Sequence, residues 1–293
     1  MDRVGVVGLG IMGIGYARNL IAGGHPVTGY DVADEPMTTL AGLGGTPASS
    51  NAAVASSSDV VLVALAEPSA LRDAVDGPEG LAEGARPGLV VVEMGTFPLD
   101  LKMWVRNRLT AVGAEVLDAP VSGTGLQAEA GEVVVYASGE PEAIQRARPV
   151  FDALGKACYE VGPFGNGSKM KYLANLLVSV HNLATAEVMV LASAAGLDLA
   201  RVLEVIAAGV GSSRIFEIRG PMMAAGDYPP SARLEMFLKD IDAIARFADD
   251  LGVPTPLLDA SLPWYQAAVE AGLGDQDAAA LARLLADRVS PPA

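Results

Sequence analysis

Three stretches of the sequence carry glycines or polar residues at spacings that packing alone does not require. The first is Val4-Gly5-Val6-Val7-Gly8-Leu9-Gly10-Ile11-Met12-Gly13, an apolar strand running into G-x-G-x-x-G and then a helical pattern. In such a turn Gly8 makes the tight bend, Gly10 lets a pyrophosphate approach the backbone, and Gly13 lets helix and strand pack closely. The phosphates then sit on free N–H groups at the positive end of the helix dipole, with Leu9, Ile11 and Met12 supplying backbone between the glycines. Asp31 ends the next strand pattern, close to the ~20 residues at which a carboxylate takes the adenosine ribose hydroxyls. That carboxylate repels a 2′-phosphate and Val32 brings no cation, so the pattern favours NAD over NADP. The plainer alternative is a βα turn with a solvated Asp.

The second stretch, Asp118-Ala119-Pro120-Val121-Ser122-Gly123-Thr124-Gly125, follows a strand pattern and exposes N–H groups and hydroxyls suited to a carboxylate. Taken alone it also fits an ordinary Gly/Ser turn. The third is Gly165-Asn166-Gly167-Ser168-Lys169-Met170-Lys171-Tyr172-Leu173-Ala174-Asn175. Lys171 and Asn175 are four apart and share one helical face, with Asn182 near the same stripe. A lysine in so apolar a helix is costly unless it meets a partner or snorkels to solvent. His181 on this helix reads as a satisfied core histidine. Phe237-Leu238-Lys239-Asp240-Ile241-Asp242 reads, as a charge cluster, as a solvated helix face.

Composition narrows the chemistry. Thirty-five acidic against 20 basic residues give a formal net charge of −15 in 293 residues. Nucleic acid, which is bound by neutralising phosphates, is not an expected partner, and no basic amphipathic stretch suggests a membrane surface. Cys158 is the only cysteine, so no intrachain disulfide exists and a reducing, cytoplasmic setting is expected. With two histidines besides, no spacing suggests a metal site. The apolar run 172–197 is long enough for a membrane span. It holds Asn175, His181, Asn182 and Glu187, each costly in lipid, so a buried helix is expected.

The elements that position these residues divide in two. Short apolar runs at residues 3–7, 27–30, 60–65, 89–93, 114–117, 132–137 and 157–161, most of them Val/Leu, alternate with helical patterns, which predicts an α/β domain with a doubly wound, mostly parallel Rossmann-type sheet. After about Gly162 almost nothing interrupts a helix over 167–196, about 45 Å of it. Shorter helices are predicted over 199–208, 214–224, 234–251, 256–271 and 276–289, and the tail 290–293 is expected to fray. The predicted domains are 1–163, binding a dinucleotide, and 164–293, all-helical, for substrate and dimerisation.

Together, and in this order along essentially the whole chain, these segments resemble the β-hydroxyacid dehydrogenase family, in its short branch of 3-hydroxyisobutyrate dehydrogenases and tartronate semialdehyde reductases. Leu65-Ala66 after a strand, Thr96 with Pro98, and the Lys239-Asp240 pair extend the match. The resemblance implies hydride exchange between NAD(H) and a small 3-hydroxy acid or its semialdehyde or keto form. It implies Lys171 as the catalytic lysine and Asn175 as its substrate-orienting partner. Ser122, Gly123 and Thr124 would hold the substrate carboxylate. Thr96 and Lys239 would close on the nicotinamide half, and Leu65 and Ala66 would wall the adenosine-side ribose. It further implies a long interdomain helix and a homodimer or homotetramer. Two departures fall on the substrate side: Thr124, Leu126 and Gln127 replace small residues, predicting a bulkier, more polar pocket floor, and Gly95 stands where the family has Ser. Rival readings are imine reduction on the same scaffold, which Lys171 argues against, and a non-catalytic NAD-binding scaffold, which the presence of both Lys171 and Asn175 disfavours.

Overall fold

The computed structural model describes residues 1–289, so the predicted frayed tail lies outside the described residues. The main sheet has six parallel strands: β1 (Val4–Val7), β2 (Val27–Tyr30), β3 (Thr46–Pro47), β4 (Val60–Val63), β5 (Val90–Glu93) and β6 (Glu115–Asp118). Their order is β3-β2-β1-β4-β5-β6, the two-winged order of dinucleotide-binding folds. The runs Val60-Val61-Leu62-Val63 and Val90-Val91-Val92-Glu93 are buried throughout, as strands covered by helices on both faces must be. One core packs behind the sheet around Leu9, Leu20, Leu117 and Phe151, and another in front around Val61, Leu71, Phe97 and Val105. The predicted Rossmann-type α/β architecture is therefore observed.

The last two predicted strands do not join that sheet. β7 (Val121–Ser122), β8 (Val133–Ala137) and β9 (Gly155–Glu160) form a separate three-stranded sheet, antiparallel between β7 and β8 and parallel between β8 and β9. Pro120, which has no N–H for a ladder, lies between β6 and β7, where the chain changes sheets. A bridge between Asp118 and Ser138 ties the two sheets together. β3 and β7 have two residues each, too short to leave a run in the sequence.

The compact units are Met1–Lys171 and Tyr172–Ala293, dividing within the helix Asn166–Ala194. The predicted division at 163/164 falls just before this helix. Its first turns count with the first unit because their N–H groups bond to residues of β6 and the β8 end.

The second unit is helical, with Leu199–Ala207, Arg214–Ala225, Leu234–Asp250 and Pro256–Ala268 following the long helix. The predicted final helix is a short 3-10 turn, Ala278–Ala280, and a helix, Leu281–Ala286. Asp277 anchors this turn, accepting from Ala279 N at 2.9 Å and pairing with buried Arg219 at 3.0 Å. By length and composition alone the helix Asn166–Ala194 could cross a bilayer. Its buried side, however, carries polar residues, Asn175, Ser179 and Asn182, among Leu183, Ala186 and Met189. Asn182 Nδ2 donates to Tyr265 Oη (3.1 Å) and to the Ala278 carbonyl (2.9 Å), and Tyr265 donates to the Ser179 carbonyl (3.0 Å). The exposed stripe is apolar, with Leu173, Leu177 and Leu191 showing 56%, 54% and 72% of their surface.

Candidate active site

The glycine loop is built as the spacing requires. Gly8 sits at φ +85° between β1 and the helix Ile11–Ala22, its N–H donating to the Tyr30 carbonyl at 3.0 Å. A Cβ there would meet the Ala64 carbonyl oxygen and Leu65 Cδ2, both at 2.7 Å, so Leu65 stands against the turn. A Cβ on Gly13 would collide with the Gly8 carbonyl oxygen, which is the close helix-to-strand approach that only glycine permits. Gly10 is the opposite case. A Cβ there meets no atom within 4 Å, and this helix cap puts no side chain on the first-turn N–H groups. That open cradle of N–H groups fits a pyrophosphate. Asp31 lies beside it, its Oδ2 accepting from Leu9 N at 2.7 Å and its Oδ1 from Ala33 N at 3.0 Å. Each oxygen keeps a lone pair for a ribose hydroxyl. Ala66, next to Leu65, is exposed.

The Ser-Gly-Thr-Gly loop packs on the same helix. Gly125 has no room for a Cβ because Ile11 of the glycine loop occupies the space. Asn19 donates to the Ala128 carbonyl at 2.6 Å, fixing the short helix Gly125–Glu129 against Ile11–Ala22. Ser122 and Gly123 are half-buried, and Gly123 sits at φ +154° with Val133 against its α-carbon. Thr124 and Gln127 cap the short helix: Gln127 Oε1 accepts from Thr124 N at 2.9 Å. The larger residues that depart from the family pattern thus have local work, and this carbonyl oxygen turns back to the chain. Gly95 also has a structural reason. The Phe97 ring fills the space a Ser side chain would need, and Thr96 follows half-buried.

Behind these loops lies a charge cluster. Lys102 on the helix Leu99–Thr110, Glu93 at the end of β5 and Asp118 at the end of β6 expose no surface. Lys102 Nζ pairs with Glu93, contacts Asp118 Oδ1 at 2.9 Å and donates to the Gly95 carbonyl at 2.7 Å. Glu93 accepts in turn from Gly95 N at 2.8 Å. Burial pushes the Glu93 carboxyl up from its ordinary range, more than Lys102 draws it down. Burial alone would lower Lys102, but the charges of Asp118 and Glu93 outweigh it and keep its ammonium charged.

The long helix starts on this cluster. Gly165 turns the chain at φ +95°. Gly167 passes so close that a Cβ would meet the Asp118 carbonyl oxygen at 2.5 Å. Its N–H donates to Ser138 Oγ at 2.9 Å, while Ser168 N and Oγ donate to Asp118 at 2.7 and 2.8 Å. Lys171, half-buried, follows on the next turn.

In the second unit, Asn175 is buried one helical turn beyond Lys171, and its Nδ2 donates to Asp240 Oδ2 at 2.8 Å. The charge pair is therefore more than a solvated face. Lys239, its neighbour on the helix Leu234–Asp250, is half-buried. Glu93 and Lys102 are the residues that sequence reasoning did not single out, and Asp240 figured only within the Lys239-Asp240 pair, with no role. The signal for Lys102 was available, since it shares the i, i+3, i+7 stripe of Val105 and Leu109, both fully buried.

Fold and loop define an oxidoreductase that binds a nicotinamide dinucleotide. Residues 3–162 match the profile of the NAD binding domain of 6-phosphogluconate dehydrogenase, and residues 165–285 match that of the NAD-binding region of NADP-dependent 3-hydroxyisobutyrate dehydrogenase. L-threonate dehydrogenase of Escherichia coli O6:H1 is 34% identical over 99% of this chain and 97% of its own. Glyoxylate/succinic semialdehyde reductase 2 of Arabidopsis thaliana is 30% identical over 96% of this chain and 79% of its own. The crystal structure of 3-hydroxyisobutyrate dehydrogenase from Salmonella typhimurium superposes with a TM-score of 0.88 at 33% identity, covering 97% of this chain and all of that one. The chain belongs to the β-hydroxyacid dehydrogenase family.

Proposed function

We propose that the protein catalyses reversible oxidation of a small 3-hydroxy acid to its semialdehyde or keto acid, with NAD as preferred acceptor. One observation carries this reading. The first unit joins the open glycine cradle, the Ser122-Gly123 loop and the helix start bearing Lys171 through direct contacts: Gly125 on Ile11, and Ser168 on Asp118. A dinucleotide, a carboxylate and a proton acceptor are the parts that such a reaction needs. The relatives named above act on L-threonate, on glyoxylate and succinic semialdehyde, and on 3-hydroxyisobutyrate, acids or acid aldehydes throughout.

In this mechanism the Ser122 hydroxyl and the loop N–H groups hold the substrate carboxylate, with Thr124 at the loop's end. Lys171, as free amine, takes the hydroxyl proton, and Asn175 orients that hydroxyl. Its carboxamide Nδ2 donates to Asp240 Oδ2 at 2.8 Å, which fixes the orientation of the amide. Bound NAD would supply the hydride acceptor; by the family resemblance Thr96 and Lys239 would serve its nicotinamide half, and Leu65 and Ala66 its adenosine-side ribose. Fixing the reacting groups supplies a large part of the rate. A panel of 3-hydroxy acids, β-hydroxy amino acids and matching semialdehydes, followed by nicotinamide absorbance, tests the assignment. Turnover of at least one acid is expected, and inactivity across the panel overturns it.

Cofactor choice rests on Asp31. Two charge-assisted bonds to the ribose hydroxyls favour NAD, and Val32 beside it, 91% exposed, offers a 2′-phosphate no cation. Asp31→Asn should lower kcat/KM for NAD at least ~10-fold, the loss of one such bond, and raise it for NADP. A wild-type enzyme that prefers NADP would contradict this.

We also propose a homodimer or homotetramer. The exposed Leu173, Leu177 and Leu191 form an apolar stripe of the kind that marks an interface. Light scattering at micromolar concentration should give at least twice the 30.0 kDa chain mass; a monomer there would refute the proposal.

A further inference from the structure

We infer that Glu93, Lys102 and Asp118 form a buried clamp that sets three working segments against one another: the Gly95-Thr96 loop, the chain leading into Ser122-Gly123, and the helix start that carries Lys171. Lys102 is its positioning residue. The inference rests on the dehydrogenase reading above for what the segments do, but not for how they are held.

Each segment has its own bonds to the cluster. Lys102 Nζ donates to the Gly95 carbonyl at 2.7 Å, and Gly95 N returns to Glu93 Oε1 at 2.8 Å, so the backbone just before Thr96 is gripped from both sides. Lys102 Nζ reaches Asp118 Oδ1 at 2.9 Å, and four residues on from Asp118 the chain arrives at Ser122. The same carboxylate accepts Ser168 N at 2.7 Å and Ser168 Oγ at 2.8 Å, one turn before Lys171. Ser138 completes the grip by donating to the Asp118 carbonyl at 2.8 Å while accepting from Gly167 N at 2.9 Å. Shifting Lys102 therefore shifts all three.

Stability does not explain this arrangement. Three ionisable groups without exposed surface are expensive to bury, and a well-packed apolar trio of the same volume is often as stable or more so. What an apolar trio lacks is directional bonds to three separate backbones. A displacement of about 1 Å at reacting groups can cost about 10²-fold in rate, so such bonds have a use at this position. The glycine cradle and Asp31 make no bond to the cluster among the described residues, so adenosine-side binding lies outside its reach.

The test uses Lys102→Met and Ser168→Ala in the full-length protein, with amide hydrogen exchange and steady-state kinetics on the best acid from the panel. Lys102→Met should speed exchange in residues 95–97, 121–123 and 167–171 together. It should lower kcat at least ~10-fold, with NAD affinity within about threefold of wild type. Ser168→Ala removes one hydroxyl, and should speed exchange at 121–123 and 167–171 and lower kcat several-fold. It decides the matter if Lys102→Met does not fold. A merely structural cluster would lower the melting temperature but leave kcat at the wild-type value wherever the variant is folded, and that result overturns the inference. So does faster exchange confined to the helix around residue 102, or wild-type exchange in Ser168→Ala. If the wild type oxidises no acid in the panel, the proposed function fails, while the exchange pattern still decides the clamp.

Discussion

Lys171→Met should lower turnover at least ~10²-fold while NAD affinity stays close to wild type. Methionine keeps most of the side-chain length but offers no proton acceptor. The Ser168–Asp118 bonds that seat the helix lie a turn away and survive. Lys171→Arg should fail almost as badly, because a guanidinium does not give up its proton at working pH. Since only the free amine can accept the hydroxyl proton, oxidation by the wild type should rise with pH and the reverse reduction should favour lower pH. A lysine that merely snorkels from a helix start would tolerate Met and Arg at near-normal rates. Steady-state kinetics with cofactor affinity measured separately by calorimetry distinguishes these outcomes.

The glycine loop gives the second large effect, through two substitutions with opposite structural consequences. Gly13→Ala drives a Cβ into the Gly8 carbonyl oxygen, so the helix Ile11–Ala22 must lift from β1. Overpacking of this kind costs about 1–3 kcal/mol, and NAD affinity should fall with it. Gly10→Ala meets nothing within 4 Å, and φ −65° suits alanine. Stability should stay within about 0.5 kcal/mol of wild type. NAD affinity should nevertheless drop at least ~10-fold, about 1.4 kcal/mol, because the methyl group fills the place where the pyrophosphate meets the backbone. Denaturant titration gives the first quantity and calorimetry the second. Wild-type NAD affinity in Gly10→Ala would mean that the phosphates bind elsewhere.

The centre of the sheet was legible because β4 and β5 are nearly continuous Val/Leu runs of four residues, and the glycine loop because each glycine answers to a separate steric demand. The helix start was legible for a similar reason, since Gly167 and Lys171 stand out from the apolar run around them. Short pairings were not. Val121 and Ser122 form a strand only because the chain leaves β6 at Pro120 and meets β8 in the antiparallel sense, a long-range event without local pattern. The charge cluster was hidden for the same reason. Glu93, Lys102 and Asp118 are 9 and 16 residues apart along the chain, and only the adjacency of β5 and β6 brings their carboxylates to one ammonium. Asp240 looked like a surface charge until Asn175 was seen to donate to it. The long helix reads from sequence as a buried one, whereas in the single chain Leu173, Leu177 and Leu191 lie outward and Asn175, Asn182 and Leu183 lie inward.

The central claim is that hydride passes directly between the substrate carbon and the nicotinamide while Lys171 holds the hydroxyl proton. The most direct measurement uses the best acid from the panel, deuterated at the carbinol carbon, with NAD in ordinary water. Deuterium recovered in the reduced nicotinamide, with Lys171→Met unable to produce it at a comparable rate, is the expected result. Deuterium released to solvent, or label transfer at an unchanged rate in Lys171→Met, would contradict the account.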